Sequence, residues 1–174
     1  LVGDRIYELF FNGGVMTVAA NRARYDALMD IIDPAIKAEE ARWADHTSSS
    51  PFTYNRWLTE WNWVDNTFFP NRPAVVMQQY ESIRMYPEVA APVINQLGGQ
   101  VPAGFELSFD TPSEGEVCYT LDGTDPRMSG ANSGQLDPAA VRYTGPVRLG
   151  GSAHVMARVR TVEGEWGPLL QAFF

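Results

Sequence analysis

Two carboxylate side chains flank a short polar turn in the segment Tyr119-Thr-Leu-Asp-Gly-Thr-Asp-Pro126. Asp122 and Asp125 could bind Ca²⁺ together with neighbouring backbone carbonyls, because this ion takes about six to eight oxygen ligands. Aspartate in such a turn usually accepts hydrogen bonds from its own backbone, and Asp-Gly and Asp-Pro are ordinary turn pairs. The segment also offers fewer oxygen ligands than Ca²⁺ requires. We therefore predict a structural turn, with no metal bound, and keep Asp122 and Asp125 as the only candidate ligands.

A second acidic group consists of the adjacent Glu39 and Glu40, with Asp45 and His46 following closely in the sequence. A glycoside hydrolase needs two carboxyl groups that face each other across a cleft at a defined separation. Neighbouring residues on a helix point in different directions, and glutamates near a helix end are usually solvated. The pattern therefore argues against general acid–base catalysis. A small hydrolase that uses Glu39 or Glu40 stays open as an alternative.

The remaining residues with reactive side chains are few and scattered. His46 and His154 are the only histidines, and Cys118 is the only cysteine. Neither histidine has an acidic partner at the spacing of a catalytic triad, and no Cys/His cluster is present for zinc. Cys118 lies in a strand pattern that predicts a buried, inert thiol. No glycine-rich loop with a lysine opens a helix, so the sequence predicts no phosphate-binding loop, no cofactor and no catalytic residue.

Three aromatic residues lie where predicted strands meet loops. Flat rings at such positions can stack on sugars, although tyrosine and tryptophan also fill cores and keep a polar group for a hydrogen bond. A carbohydrate-binding module is therefore a second function to consider, and its candidate ligand-binding residues are Tyr119, Tyr143 and Trp166.

Composition and charge exclude several classes of protein. The net charge of −8 argues against nucleic-acid binding, which requires a clustered positive surface. No apolar run reaches the roughly 18 residues of a membrane span. Apolar residues make up 45 % of the 174-residue chain, which is enough for a packed core. The chain begins in mid-pattern at Leu1, so we expect a fragment of a larger protein from which any targeting signal is missing.

The first half of the chain has the apolar spacing of helices. A stripe from Val18 to Trp43 predicts one helix that continues, with a kink, through Pro34. Thr17 and Thr53 are the predicted N-caps. Pro70 and Pro73 predict a break before a last helix, which gives about four helices in all. Five aromatic residues at mostly helical spacing predict a hydrophobic core in preference to a sugar-stacking surface: Trp57, Trp61, Trp63, Phe68 and Phe69.

After Pro92 the apolar pattern changes from helical spacing to alternation, which indicates short, half-buried strands. We predict an α+β fold, with a helical subdomain (1–90), a connector (91–102) and a small antiparallel β-sandwich of immunoglobulin or fibronectin type (103–174). The connector is too apolar for a solvated tether, so we expect it to pack through Val93, Ile94, Leu97 and Val101. The predicted strands are Phe105–Asp110, Glu116–Leu121, Ala153–Thr161 and Leu169–Phe174.

Several of these motifs resemble known families. The segments Gly3-Asp-Arg5, Phe10-Phe-Asn-Gly-Gly14 and Phe68-Phe-Pro-Asn-Arg72 resemble the C-terminal end of spore coat protein H (CotH) kinase-like proteins. The segments Tyr119–Pro126 and Tyr143-Thr-Gly-Pro146 resemble the chitobiase/β-hexosaminidase C-terminal domain, which is also described as a fibronectin type III-associated module. The connector resembles that of large bacterial CotH-like proteins, except that Leu97 stands where such sequences often have histidine.

The resemblance implies a non-catalytic role for this chain. The nucleotide- and metal-binding residues of the CotH family belong to a region that would precede Leu1, so kinase activity does not transfer. The sandwich module is an accessory to a separate catalytic domain in the hexosaminidases. We therefore expect helices that buttress an upstream domain of the same polypeptide and an accessory sandwich. The resemblance also implies a secreted or envelope-associated bacterial protein, with glycans or other envelope proteins as possible partners.

Overall fold

The computed structural model describes residues 2–43, 51–130 and 133–174. Helices come first and antiparallel strands follow, so the predicted α+β class is confirmed. The chain forms two compact units. One, here called the strand unit, combines Leu1–Glu8 with Tyr80–Phe174, and the other, the helical unit, is Leu9–Gln79. Among the described residues, no helix has the length and apolar character needed to cross a membrane.

The helices are α1 (Val2–Phe10), α2 (Val18–Trp43), α3 (Tyr54–Trp63) and α4 (Phe69–Ser82). A π-helical turn over Val64–Phe68 joins α3 to α4. In the described ranges, the helical residues therefore form three continuous rods, which corrects the prediction of about four helices. The backbone N–H of Phe69 donates to the carbonyl of Val64, five residues earlier. The wider turn lets the helix continue into Pro70 and Pro73, which have no N–H to donate.

The local signals for helix starts are confirmed. The Thr53 hydroxyl accepts a hydrogen bond from the N–H of Arg56 at 3.2 Å, and the Thr17 hydroxyl accepts one from the N–H of Ala20 at 3.4 Å. Each side chain thus satisfies one of the free N–H groups of a first helical turn. Helix α2 also continues through Pro34, as the apolar stripe predicted.

The helical unit buries none of its described residues. Its rings touch in pairs, such as Trp57 and Trp61 with centroids 5.4 Å apart, but Trp63 is 53 % exposed. The prediction of an aromatic core in this unit is therefore wrong. Helix α2 contacts α3, and Tyr25 packs edge-on against Phe69 at 5.3 Å. Two helical rods bury only the strips along which they touch, so the apolar residues beside those strips stay exposed.

The strand unit is built on two antiparallel sheets. The strands are β1 (Glu106–Leu107), β2 (Glu116–Thr120), β3 (Val141–Arg142), β4 (Val147–Arg148), β5 (His154–Arg160) and β6 (Leu170–Phe173). Strands β3, β2, β5 and β6 form the larger sheet in that order, and β1 pairs with β4 in the smaller one. Buried apolar side chains of both sheets form one core, in which Leu107, Val155 and Leu170 are almost completely enclosed.

The segment 91–102 packs against the strands, which confirms the prediction that it is not a free tether. Ile94 forms a β-bridge with Phe109 and packs on the core. Farther along, the N–H of Gly99 donates to the carbonyl of Phe173 at 2.7 Å. Two of the residues expected to be covered, Val93 and Leu97, are instead exposed. A single added strand can turn only alternate side chains toward the core.

Candidate functional site

The strand unit contains a buried arginine whose charge is matched on two sides. Arg158 lies in β5 and is only 1 % exposed. Its Nε and Nη2 donate to the two carboxylate oxygens of Asp125, each at 2.7 Å. Its Nη1 and Nη2 donate to the two oxygens of Asp4 at 2.6 and 2.8 Å, and Nη1 also donates to the carbonyl of Gly167 at 2.9 Å. All five N–H donors of the guanidinium are therefore used.

The environment of Asp4 favours its ionised form. Burial alone would raise the pKa of this carboxyl group, but the hydrogen bonds and the charge of Arg158 hold the pKa well below its usual range. The backbone N–H of Leu169 donates to Asp4 Oδ1 at 2.9 Å and acts in the same direction. For Arg158, burial opposes the charge, but the hydrogen bonds to Asp125 and Asp4 raise its pKa above the usual value. Asp4 and Arg158 therefore both favour their charged forms at neutral pH.

The sequence identifies one member of this cluster, Asp125, and predicts its turn hydrogen bond from the N–H of Arg127, but not its pairing with Arg158. Arg158 lies between the core residues Ala157 and Val159 in β5. A residue at such a position normally points to the opposite face of the sheet, away from the core. Asp4 lies 154 residues earlier in the chain. Only the placement of an arginine between two apolar strand residues could have drawn attention to Arg158, and nothing in the sequence identified its partners.

Both aspartates of the Asp122–Asp125 turn accept the predicted hydrogen bond from the backbone N–H two residues on, and Asp125 accepts its own from Arg127 at 2.9 Å. Asp122 Oδ1 accepts a hydrogen bond from the N–H of Thr124 at 3.0 Å, which is the predicted turn geometry, and this bond lowers the pKa of Asp122. Both oxygens of Asp125 are occupied by Arg158, whose positive charge opposes cation binding at this position. Within the described residues, no group of three or more His, Cys, Asp or Glu side chains could hold a metal ion.

One of the three candidate sugar-stacking residues, Tyr119, is buried. Tyr119 is 7 % exposed and packs in the core against Phe109, with ring centroids 5.8 Å apart. Tyr119 is therefore not available to stack on a sugar, because β2 directs it inward. Tyr143 is half-buried and meets the edge of Phe109 at 5.1 Å. These contacts assign Tyr119 and Tyr143 to packing.

Trp166 is half-buried and tied to the neighbouring loop. Its Nε1 donates to the carbonyl of Gly134 at 2.8 Å. The guanidinium of Arg160 lies over the ring, 5.5 Å from its centroid. The hydrogen bond engages the indole N–H, and the cation–π contact engages one face of the ring.

Cys118 and His154 lie in the larger sheet. Cys118 is completely buried, and burial, aided by the charge of Glu116, raises the pKa of its thiol to about 11. At neutral pH the reactive thiolate is therefore scarce. The ring of His154 stacks on that of Phe173 with centroids 3.9 Å apart. Asp45 and His46, which the sequence placed near the glutamate pair, lie outside the described residues.

Glu39 and Glu40 lie in an open groove of about 520 Å³ in the helical unit. Helix α2 supplies them near its end, and α3 supplies Glu60 from the other side. The sequence predicts that these glutamates are solvated, and it carries no sign of the groove, because the groove depends on how α2 and α3 pack. The aromatic residues that line it are Trp43, Phe52 and Trp57.

Comparisons with protein-family models, with curated proteins and with solved structures find no match to this chain. The resemblance to CotH-like proteins and to the chitobiase C-terminal domain therefore rests on the motifs quoted above and stays a prediction.

Proposed function

We propose that this chain is a non-catalytic module of a CotH-like multidomain bacterial protein, outside the cell or on its envelope. In this proposal the helical unit buttresses a neighbouring domain of the same polypeptide. The strand unit is an immunoglobulin- or fibronectin-like accessory sandwich. The sequence motifs support the family, and the two packed antiparallel sheets with their common core support the sandwich.

The observation that carries the proposal is the exposed apolar surface of the helical unit. None of its described residues is buried, and Ile31 is 74 % exposed. Contiguous exposed apolar surface usually marks an interaction site. Leu28, Ile31 and Ile32 of α2 are all exposed within five residues, so a domain that covers this part of α2 would remove them from water.

The proposal assigns no catalytic residue. Arg158 uses all its N–H donors in pairs with Asp4 and Asp125 and in a bond to Gly167, which suits a structural cluster better than a reacting one. The glycan-binding alternative is weakened because Tyr119 is buried and Trp166 already has partners. The hydrolase alternative would require Glu39 or Glu40 to face a second carboxyl group at a defined separation across a bound sugar.

The test compares the same substitution in the isolated chain and in its full-length parent protein. Ile31→Asp should change the melting temperature of the isolated chain very little, because the side chain is exposed there. In the parent, the same substitution would bury a carboxylate and should cost at least about 2 kcal/mol. Asp30→Asn, at an exposed neighbouring position, is the control and should be neutral in both proteins. An Ile31→Asp effect that is equally small in both proteins contradicts the buttress role.

A further inference from the structure

The groove between the end of α2 and the start of α3, here called the acidic groove, combines aromatic rings with carboxylates. Phe52 is 60 % exposed and Trp43 is 43 % exposed, and both line the groove together with Trp57. Such rings offer apolar area together with a negative face that attracts cations. The volume of about 520 Å³ falls in the range of ligand sites and can take several side chains of a bound segment.

The charges of the acidic groove are unbalanced. Glu39, Glu40 and Glu60 line it, and Arg56 is the basic residue among its lining. The Arg56 guanidinium lies over the Phe52 ring, 4.6 Å from its centroid. In the part of the chain that the structure describes, none of the three glutamates forms a salt bridge. The Arg42 guanidinium also lies over the Trp43 ring of the groove, 4.9 Å from its centroid. Even so, the described residues of the groove carry more negative than positive charge.

We propose that the acidic groove binds a positively charged peptide segment in which lysine or arginine alternates with apolar residues. The rings would contact the apolar side chains and the stems of the basic ones, and the carboxylates would pair with the basic groups. Neutral oligosaccharides also stack on aromatic rings, but they do not explain three carboxylates that have no salt bridge within the described ranges. The net charge of the whole chain, −8, adds a long-range attraction for the same partner.

The probe for the test is a capped hexapeptide of alternating lysine and leucine, titrated into the intact chain and followed by calorimetry. We expect saturable binding that weakens between low and physiological salt, because partly exposed charge pairs are screened. Glu40→Gln combined with Glu60→Gln should weaken binding by about fivefold, as two exposed ion pairs are lost. Phe52→Ala should also weaken binding, and because Phe52 is largely exposed, the circular dichroism of the helices should not change.

A matched control removes two negative charges from α2 outside the groove. Asp26→Asn combined with Asp30→Asn leaves the groove intact and should preserve the affinity, since both side chains are exposed and neither lines the groove. An equal loss in the two double variants would show that only net charge attracts the peptide, and it would overturn the proposal. Absence of saturable binding at millimolar peptide would also overturn it. If neutral chitohexaose binds more tightly than the peptide, and Phe52→Ala abolishes that binding, the ligand of the groove is a glycan and the peptide proposal is wrong.

Discussion

At the scale of single residues, long-range partners decide the roles of the charged side chains. Asp122 bonds within its own turn, and this role could be predicted from the sequence because the partner is two residues away. Asp125 makes the same local bond, from the N–H of Arg127 at 2.9 Å, and it also pairs with Arg158, 33 residues further on. The long-range pairs of Arg158 depend on the register of β5 and, for Asp4, on the position of α1. The sequence carries no local mark of either one.

Removal of the Arg158 guanidinium should strongly destabilise the strand unit. Arg158→Met removes the closest countercharge of the partly buried Asp4 and Asp125, while Arg127 stays 3.9 Å from Asp4. Loss of one partner of a buried pair costs about 3–5 kcal/mol in comparable cases. Urea denaturation, followed by circular dichroism in the β region, measures this loss. Arg142→Met is the matched control, because Arg142 and Arg158 flank Cys118 from the two neighbouring strands.

Arg142 is 58 % exposed and pairs with Glu116 at 3.4 Å, so its loss should cost at most about 1 kcal/mol. Equal destabilisation by the two arginine substitutions would show that the buried cluster contributes no more than a surface ion pair.

The lowered pKa of Asp4 predicts a loss of stability in acid. The folded pKa is below the unfolded value of about 3.9, so the unfolded state binds the proton first as the pH falls. The contribution of Asp4 is complete well above pH 4 and is lost as the pH falls from about 5 toward the folded pKa. The free energy of unfolding, measured from pH 7 to pH 2.5, should therefore fall steeply below about pH 4.

The Asp4→Asn variant should be less stable than the wild type at pH 7. Its free energy of unfolding should also fall less steeply as the pH is lowered. Asp110→Asn, at an exposed position in the same unit, should keep the wild-type slope. If Asp4→Asn retains the full acid slope, other carboxylates cause it.

At the scale of elements, the helix N-caps could be predicted from the sequence, whereas the π-helical turn could not. Thr17 and Thr53 cap helices as their side chains indicated, because a cap involves only the next three residues. The π-helical turn Val64–Phe68 has no such signature, and it joined two helices that Pro70 and Pro73 had separated in the prediction. The alternation of β2 and β5 identified the central strands, whereas β1 and β4 are only two residues long.

The docking of segment 91–102 on β6 can be tested at two adjacent glycines. Gly98 and Gly99 both have positive φ, at 87° and 94°. A Cβ on Gly98 would lie 2.5 Å from the carbonyl oxygen of Phe173, whereas a Cβ on Gly99 would meet nothing within 4 Å. Gly99→Ala should therefore cost only the strain of the left-handed backbone, about 1–2 kcal/mol. Gly98→Ala should cost about 1–3 kcal/mol more, because the contact with β6 must open.

Urea denaturation of both glycine variants gives the difference directly. Equal effects would mean that the segment moves away from Phe173 at little cost, and that its docking contributes little to the strand unit.

At the scale of the whole molecule, the distribution of buried residues distinguishes the two units. The strand unit has a core in which Leu107, Val155 and Ala157 are fully enclosed, and its four-stranded sheet is held by β2 and β5 at the centre. The aromatic residues of the helical unit were predicted to form a comparable core. Their spacing indicated which side of each helix is apolar, but it could not indicate whether another element covers that side.

This difference predicts uneven protection from hydrogen exchange in the isolated chain. Amide groups exchange slowly where opening requires the loss of buried apolar contacts. Amides of β2 and β5 should therefore exchange only through global unfolding of the strand unit, and those of α2 should exchange through local opening at much lower cost. Mass spectrometry of peptides from both units, at neutral pH and over a range of urea concentrations, gives the two opening free energies.

If α2 is protected as strongly as β5, the helical unit is stable without a covering domain, and the buttress proposal loses the observation that carries it. If α2 is weakly protected in the isolated chain and strongly protected in the parent protein, the covering domain supplies the missing stability.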